Sequence, residues 1–349
     1  INTQTYDQGE VTVFVVADNC TDQTAACARK MGAIVYERFD QTKIGKGHAM
    51  EFLLNQMEKD YAPFDGYFVF DADNVLDQNY ILEMNKTFSD GYDIITSYRN
   101  SKNYGDNWIS SGYAIWFLWE SEFLNRGRML LGTSCAVSGT GFFFSRRIIE
   151  KYGGWKFFLL TEDIQFTVDN VLSGEKIGYC RQAMLYDEQP VKFQQSFRQR
   201  MRWAKGFFQV FHRYGLDLFK GSLQRNTSCY DMLMVIMPAI ILTLFTLIFN
   251  GSMILFGDYT TYQDDLIMMM MGRMILNMYF MLVFIATVTI ATQWKNIHTT
   301  SFKKLAYIFT FPFFMFTYIP ITIVAFFKKV EWQPIEHSRA KTLAEIKEG

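Results

Sequence analysis

Two apolar runs near the start of the chain end in the same way, and that ending limits the folds open to it. Val11-Thr12-Val13-Phe14-Val15-Val16 leads into Ala17-Asp18-Asn19, and Gly66-Tyr67-Phe68-Val69-Phe70 leads into Asp71-Ala72-Asp73. Near-continuous apolar runs of this length read as strands buried on both faces. Between them lie a helix pattern over 23–31, a short strand over 33–36, and a helix over 47–58 with Met50, Leu53, Leu54 and Met57 along one side. Strands alternating with helices predict an α/β, Rossmann-like domain with a mostly parallel sheet and ligand loops at the strand C-terminal ends. The acidic motifs stand at those ends. The first clear strand already runs into a functional turn, so at least one strand and one helix are expected upstream of Ile1.

Further along, 108–131 reads as a helix with a heavily apolar face. Ser138-Gly139-Thr140-Gly141 reads as a loop entering a strand at Phe142-Phe143-Phe144. The segment 194–214 alternates Arg198, Arg200, Arg202 and Lys205 with Phe197, Trp203, Phe207 and Phe208, as a helix at a membrane interface does. Then the composition changes. Apolar runs over 232–256 and 266–292 are each long enough to span about 30 Å of hydrocarbon. A third run, 305–327, is interrupted by Pro312 and Pro320, which favours a re-entrant or interfacial helix pair over a simple span. The loop 257–265 carries three aspartates and no Lys or Arg, whereas Lys295, Lys303 and Lys304 follow the second run. The positive-inside rule therefore places the catalytic domain in the cytoplasm, on a multi-pass protein of the cell membrane. The expected organisation is a catalytic domain over 1–225, a membrane region over 226–329, and a cytoplasmic tail over 330–349.

A net charge of −1 over 349 residues argues against a general nucleic-acid binder. The five cysteines are odd in number and irregularly spaced, as reduced thiols in a cytosolic setting are. The four histidines are scattered away from them, which argues against zinc.

Five short motifs carry the candidate chemistry. Asp18 sits where a strand meets a helix start, as a ligand for a base or ribose or as a helix cap. Gly45-Lys46-Gly47 precedes a helix; its glycines let the backbone approach a phosphate, and it equally suits a surface turn. Asp71 and Asp73, one residue apart, can share a metal and a ribose. Thr161-Glu162-Asp163 opens a helix, where an acid serves as a cap or as a general base. In Gln199-Arg200-Met201-Arg202-Trp203, Gln199 and Trp203 share a helix face. The tryptophan can stack on a sugar, and Arg202 can fork onto a diphosphate or a lipid headgroup.

In this order and spacing the motifs resemble those of the membrane-embedded family 2 glycosyltransferases: the cellulose, hyaluronan, chitin and poly-N-acetylglucosamine synthases and their bacterial relatives. Thr161-Glu162-Asp163 paired with Gln199-x-x-Arg202-Trp203 is the most specific part, and the resemblance runs along almost the whole chain. It implies a GT-A fold and a UDP-sugar donor. Asp18 and Lys46 would hold the uridine end, Asp71 the nucleotide, and Asp73 a Mg2+ or Mn2+ ion. Asp163 would be the base. Gln199, Arg202 and Trp203 would position acceptor and pyrophosphate, and Gly139-Thr140-Gly141, with Glu162 nearby, would line the acceptor side. The family's opening strand with its Pro-x-Tyr-Asn-Glu-like loop, its N-terminal membrane helix, the cyclic-dinucleotide-binding domain of cellulose synthases and their Phe-x-Val-Thr gating segment are not evident in this sequence. Residues 330–341 stand where a lid would, with Trp332 as its contact residue. The implied reaction is an inverting transfer to a glycan or lipid-linked acceptor, building a β-linked polysaccharide. A single-step glycolipid transferase and a non-catalytic membrane scaffold are the rival readings.

Overall fold

The computed structural model describes residues 1–237, 248, 252, 263–332 and 340–348. Strand β1 (Phe14–Asp18), helix α1 (Thr24–Lys30), strand β2 (Ile34–Arg38) and helix α2 (Lys46–Asp60) open the chain. β3 (Gly66–Val69), β4 (Val75–Leu76), α3 (Tyr80–Ser89) and β5 (Ile94–Ser101) follow. The long expected helix forms as α4 (Trp108–Trp119), a π-helical stretch over Glu120–Asn125, and α5 (Arg126–Leu131). Asn107 caps α4 with a reciprocal box to Ser110. Then come β6 (Phe142–Ser145), α6 (Arg146–Tyr152), α7 (Glu162–Leu172), β7 (Ile177–Asp187), α8 (Phe193–Leu223) and α9 (Thr227–Ile236).

The α/β class stands, but the sheet is mixed rather than mostly parallel. Among the described residues, β1 and β2 form a parallel pair of their own, beside a five-stranded sheet of order β3-β6-β5-β7-β4. Only β5–β7 is parallel there; β3–β6, β6–β5 and β4–β7 are antiparallel. β3, β5 and β7 nonetheless run in one direction, so their C-terminal ends share one edge. β6 is reversed because the loop before it starts at that edge and turns down between β3 and β5. Gly141 makes the turn at φ 65°, where a Cβ would lie 1.8 Å from Leu185.

Period-two alternation sends the three phenylalanines of β6 to two layers. Phe142 and Phe144 join the main core and pack on Phe166 of α7, each at 5.9 Å between ring centres. Phe143 faces the opposite layer, against Phe68 and Phe88 at 5.0 Å. α3 covers that second face with Tyr80, Ile81 and Met84.

The apolar run over 266–292 falls within α10 (Gln263–Thr292). The run over 305–327 forms α11 (Ser301–Phe316), with Pro312 inside it, and α12 (Tyr318–Phe327). Gly272–Thr292 and Ser301–Phe327 are long and apolar enough to cross a membrane, and only 22% and 33% of their apolar windows are buried, unlike core helices. Most of the expected span over 232–256 lies outside the described residues. α11 packs on α4 and α12 on α8. A short helix, α13 (Leu343–Glu348), returns to the α/β domain, where Lys347 pairs with Asp77 at 2.9 Å and Ile346 is buried.

Candidate active site

The loop Ser138-Gly139-Thr140, at the C-terminal edge of the sheet, draws three of the sequence motifs together. Lys46, the first residue of α2, donates from Nζ to Asp71 Oδ1 at 2.5 Å and to the Gly139 carbonyl at 2.8 Å. The Gly139 N–H donates to Asp163 Oδ2 at 2.6 Å. Thr140 Oγ1 accepts the Asp71 N–H at 3.0 Å and meets Asn74 Oδ1 at 2.5 Å. Asp71 reaches this loop because β3 ends at Val69, two residues before it. Asp163 does so because α7 begins at Glu162, pointing its N-terminal turn at the same edge. Asp73 Oδ2 accepts the Glu188 N–H at 2.9 Å, just past the end of β7, and Lys102 Nζ donates to the Asp73 carbonyl at 2.5 Å.

Two acids side by side in a buried turn repel each other. Burial first, and the Asp163 carboxylate second, push the Glu162 carboxyl up to about 7, against the pull of Lys46 and Arg202. Burial also raises Asp163, opposed by hydrogen bonds from the Ile164 and Gly139 N–H groups and by the same two cations. Burial works against the Lys46 ammonium, yet Asp71, Glu162 and Asp163 outweigh it and hold its pKa above the ordinary lysine value.

A pocket opens beside this network, lined by Gly45, Lys46, Gly47, Leu160, Glu162 and Trp332 among others. Gly47 keeps α2 close to the 157–160 segment, since a Cβ there would lie 2.1 Å from the Phe157 carbonyl oxygen. The segment's other side is held by α8, where Arg202 Nη1 donates to the Leu160 carbonyl at 2.8 Å. Trp332 lines the pocket; residues 333–339 of the expected lid lie outside the described residues. Asp18 is placed one step away. It pairs with the buried Arg38 at 2.6 Å, and Arg38 also donates to the Lys43 carbonyl at 2.7 Å, at the root of the Gly45-Lys46 turn.

The structure therefore brings Lys46, Asp71, Gly139, Thr140, Glu162, Asp163 and Arg202 to one edge, with Asp73 beside them and Trp332 at the pocket. Gln199 and Trp203 sit differently. Trp203 packs edge-on against Tyr113 at 5.7 Å and Phe117 at 6.2 Å, and Gln199 Oε1 is buried with no hydrogen-bond partner among the described residues. Arg200, beside them, is fully buried and donates to the Phe314 carbonyl at 3.1 Å and to Thr317 Oγ1 at 2.7 Å, tying α8 to the α11–α12 joint. Sequence reasoning missed Arg99, Glu120 and Asp187. Arg99 donates to the Ser138 carbonyl at 3.1 Å and to Asp187 Oδ2 at 2.7 Å, and Glu120 Oε2 accepts Ser138 Oγ at 3.0 Å. A lone arginine inside a buried strand was the available signal, because buried charges are paired.

Asp71 and Asp73 offer hard oxygen donors of the type Mg2+ or Mn2+ takes. Among the described residues no group of three or more His, Cys, Asp or Glu side chains could hold an ion alone. The donor set fits an ion shared with a diphosphate, the usual arrangement when one or two carboxylates complete a magnesium site.

The edge where open α/β sheets bind their ligands thus carries a lysine-bound aspartate, Asp71, and a helix-start acid, Asp163, on one loop. Residues 2–206 match the family described as Glycosyltransferase like family 2, and the chain belongs to that family. It is 25% identical over 249 residues to the beta-monoglucosyldiacylglycerol synthase of Nostoc sp., covering 68% of this chain and 50% of the relative. It is 22% identical over 251 residues to the poly-beta-1,6-N-acetyl-D-glucosamine synthase of Staphylococcus aureus, covering 70% and 58%. The chain thus spans about half the length of the curated relatives it matches. Among solved structures, the mannosyltransferase PcManGT from Pyrobaculum calidifontis, in complex with GDP-Man and Mn2+, superposes with a TM-score of 0.51 at 12% identity, covering 93% of this chain and 81% of that one. That likeness supports a GT-A-like fold.

Proposed function

We infer that the chain carries the catalytic part of an inverting transferase, moving a sugar from a UDP-sugar to an acceptor hydroxyl at the membrane surface. The observation that carries this reading is the meeting of Lys46 and Asp163 on the one residue Gly139, with Asp71 held by the same lysine. Asp163, whose proton affinity burial raises above that of an ordinary aspartate, accepts the proton of the attacking hydroxyl. The oxygen so freed bonds to the anomeric carbon as the bond to the UDP oxygen breaks, and one in-line displacement leaves a β-linkage. Lys46, now on Asp71, and Arg202 are the cations within reach of the diphosphate. Asp18 would act on the uridine end through the Gly45-Lys46 turn. Asp73, with Asp71 beside it, would hold a Mg2+ or Mn2+ ion, which when bound neutralises charge on the departing UDP. Glu162, Gln199 and Trp203 line or support the acceptor side, the last two through packing.

Membrane association is supported by the two long apolar helices and by the nature of the relatives. We favour a cytoplasmic catalytic domain and an interfacial α11–α12 pair, because both helices pack on the domain's own α4 and α8. A polysaccharide is the favoured product; the glycolipid synthase among the relatives keeps single addition to a lipid as the second reading. Membranes carrying the protein, incubated with UDP-glucose, UDP-N-acetylglucosamine or UDP-glucuronate, should release UDP in a chelator-sensitive way. Product length then divides the two readings, and absence of UDP release with every donor would return the protein to a scaffold role. Trp332→Ala should raise the donor KM several-fold without lowering the melting temperature; an unchanged KM removes Trp332 from the site.

A further inference from the structure

We propose that Arg99 tunes the proton affinity of Asp163 through a single peptide group. The proposal rests on Asp163 being the base. The peptide between Ser138 and Gly139 carries both ends of the link. Its carbonyl oxygen accepts from Arg99 Nη1 at 3.1 Å, and its N–H donates to Asp163 Oδ2 at 2.6 Å. An amide is conjugated, so a cation on its oxygen draws density from nitrogen and makes the N–H a stronger donor. That donor favours the ionised form of the carboxylate over the neutral one. Arg99 therefore holds Asp163 ready to accept a proton in a site whose burial works the other way.

The arginine is built to stay in place. Its Nε donates to Asp187 Oδ2 at 2.7 Å, and Nη2 donates to the same oxygen. Its guanidinium carbon lies 3.6 Å from the centre of the Phe117 ring, against which Trp203 packs. The side chains of Arg99 and Asp187 are 14% and 5% exposed, so water does little to screen them. Glu120 steadies the other side of the loop through Ser138 Oγ. An ion pair that merely stapled β5 to β7 would explain the contact with Asp187. It would not explain the donor directed at the Ser138 carbonyl. Arg99 is thus a positioning residue, acting through the loop.

The test is the pH profile of kcat/KM in the full-length protein, with the UDP-sugar turned over in the donor screen and with UDP binding and thermal melting as checks on folding. Arg99→Met/Asp187→Asn removes both charges and should move the acid limb up by about one pH unit, a loss of about tenfold on that limb with donor KM little changed. Asp187→Asn alone leaves the arginine on the carbonyl with its charge less neutralised, and should move the limb down. Arg99→Lys keeps the charge and should keep the limb in place. An acid limb that stays put in the two Asp187 variants, or one that rises in Arg99→Lys as far as in the neutral pair, overturns the proposal; each variant that folds decides by itself. Asp163→Asn, run alongside, separates this from the reading beneath it. Turnover surviving in that variant removes Asp163 as base, whereas an inert variant with unmoved limbs elsewhere removes only the role of Arg99.

Discussion

Asp163→Asn should abolish sugar transfer, lowering kcat by about 10²–10⁴-fold, while UDP still binds. The amide oxygen of asparagine can accept the Gly139 N–H as the carboxylate does, so the loop keeps its shape. What the variant lacks is the affinity for an acceptor proton. Single-turnover transfer and UDP affinity, measured on the same sample, read the two apart. Loss of both together would make Asp163 a residue that merely holds the loop. The wild-type acid limb belongs to the Glu162–Asp163 pair and should stand above the ordinary carboxylate range. Glu162→Gln removes a neighbouring negative charge and should move that limb down. Stability should run the opposite way. With Glu162 at about 7 in the folded chain and an ordinary value of 4.5, the native state binds more protons across that window, so stability falls as pH rises through it.

Gly47→Ala should have the second-largest effect, and on donor affinity more than on the fold. The new methyl would sit 2.1 Å from the Phe157 carbonyl oxygen, so α2 must move off the 157–160 segment. Overpacking of this kind costs about 1–3 kcal/mol. The same movement carries Lys46 away from Asp71 and Gly139 and opens the pocket, so donor KM should rise by more than tenfold. Gly127→Ala is the control. It lies in α5 with nothing within 4 Å of the added methyl, and helix propensity predicts a neutral or mildly stabilising change. Equal effects from the two substitutions would show that the close approach at Gly47 has no functional weight.

The parts of the site legible in the sequence are those fixed by local rules. An acid just past an apolar strand lands at the sheet edge, as Asp71 does. An acid at a helix start faces that helix's N-terminal side, as Asp163 does, and a Gly-Lys-Gly turn marks Lys46. The positions of β1, α1, β2, α2, β3, the α4–α5 stretch and β6 followed from periodicity for the same reason, whereas α3, β5, α6 and β7 were not read from the sequence. Strand direction did not. β6 is reversed by the positive φ at Gly141, which the alternation of apolar residues cannot encode. Arg99 and Asp187 meet only because β5 lies parallel to β7, with its register shifted between Ser97 and Tyr98. Their contact spans 88 positions and leaves no local spacing to read. Trp203 illustrates the opposite failure. Its place on the face shared with Gln199 was predictable, but which neighbour that face met was decided by Tyr113 and Phe117 of α4.

Among the described residues, β1 pairs with β2 apart from the five-stranded sheet. α2 packs against β1 and β2, and its first side chain, Lys46, reaches Asp71 and Gly139 at the edge of the five-stranded sheet. The Lys46 ammonium is one tie at this edge, beside the His48–Phe158 stack and the close approach of Gly47 to Phe157. A diphosphate arriving at the pocket would compete for that same ammonium, so the arrival of donor would also trade away one of the contacts that hold α2 to the sheet edge.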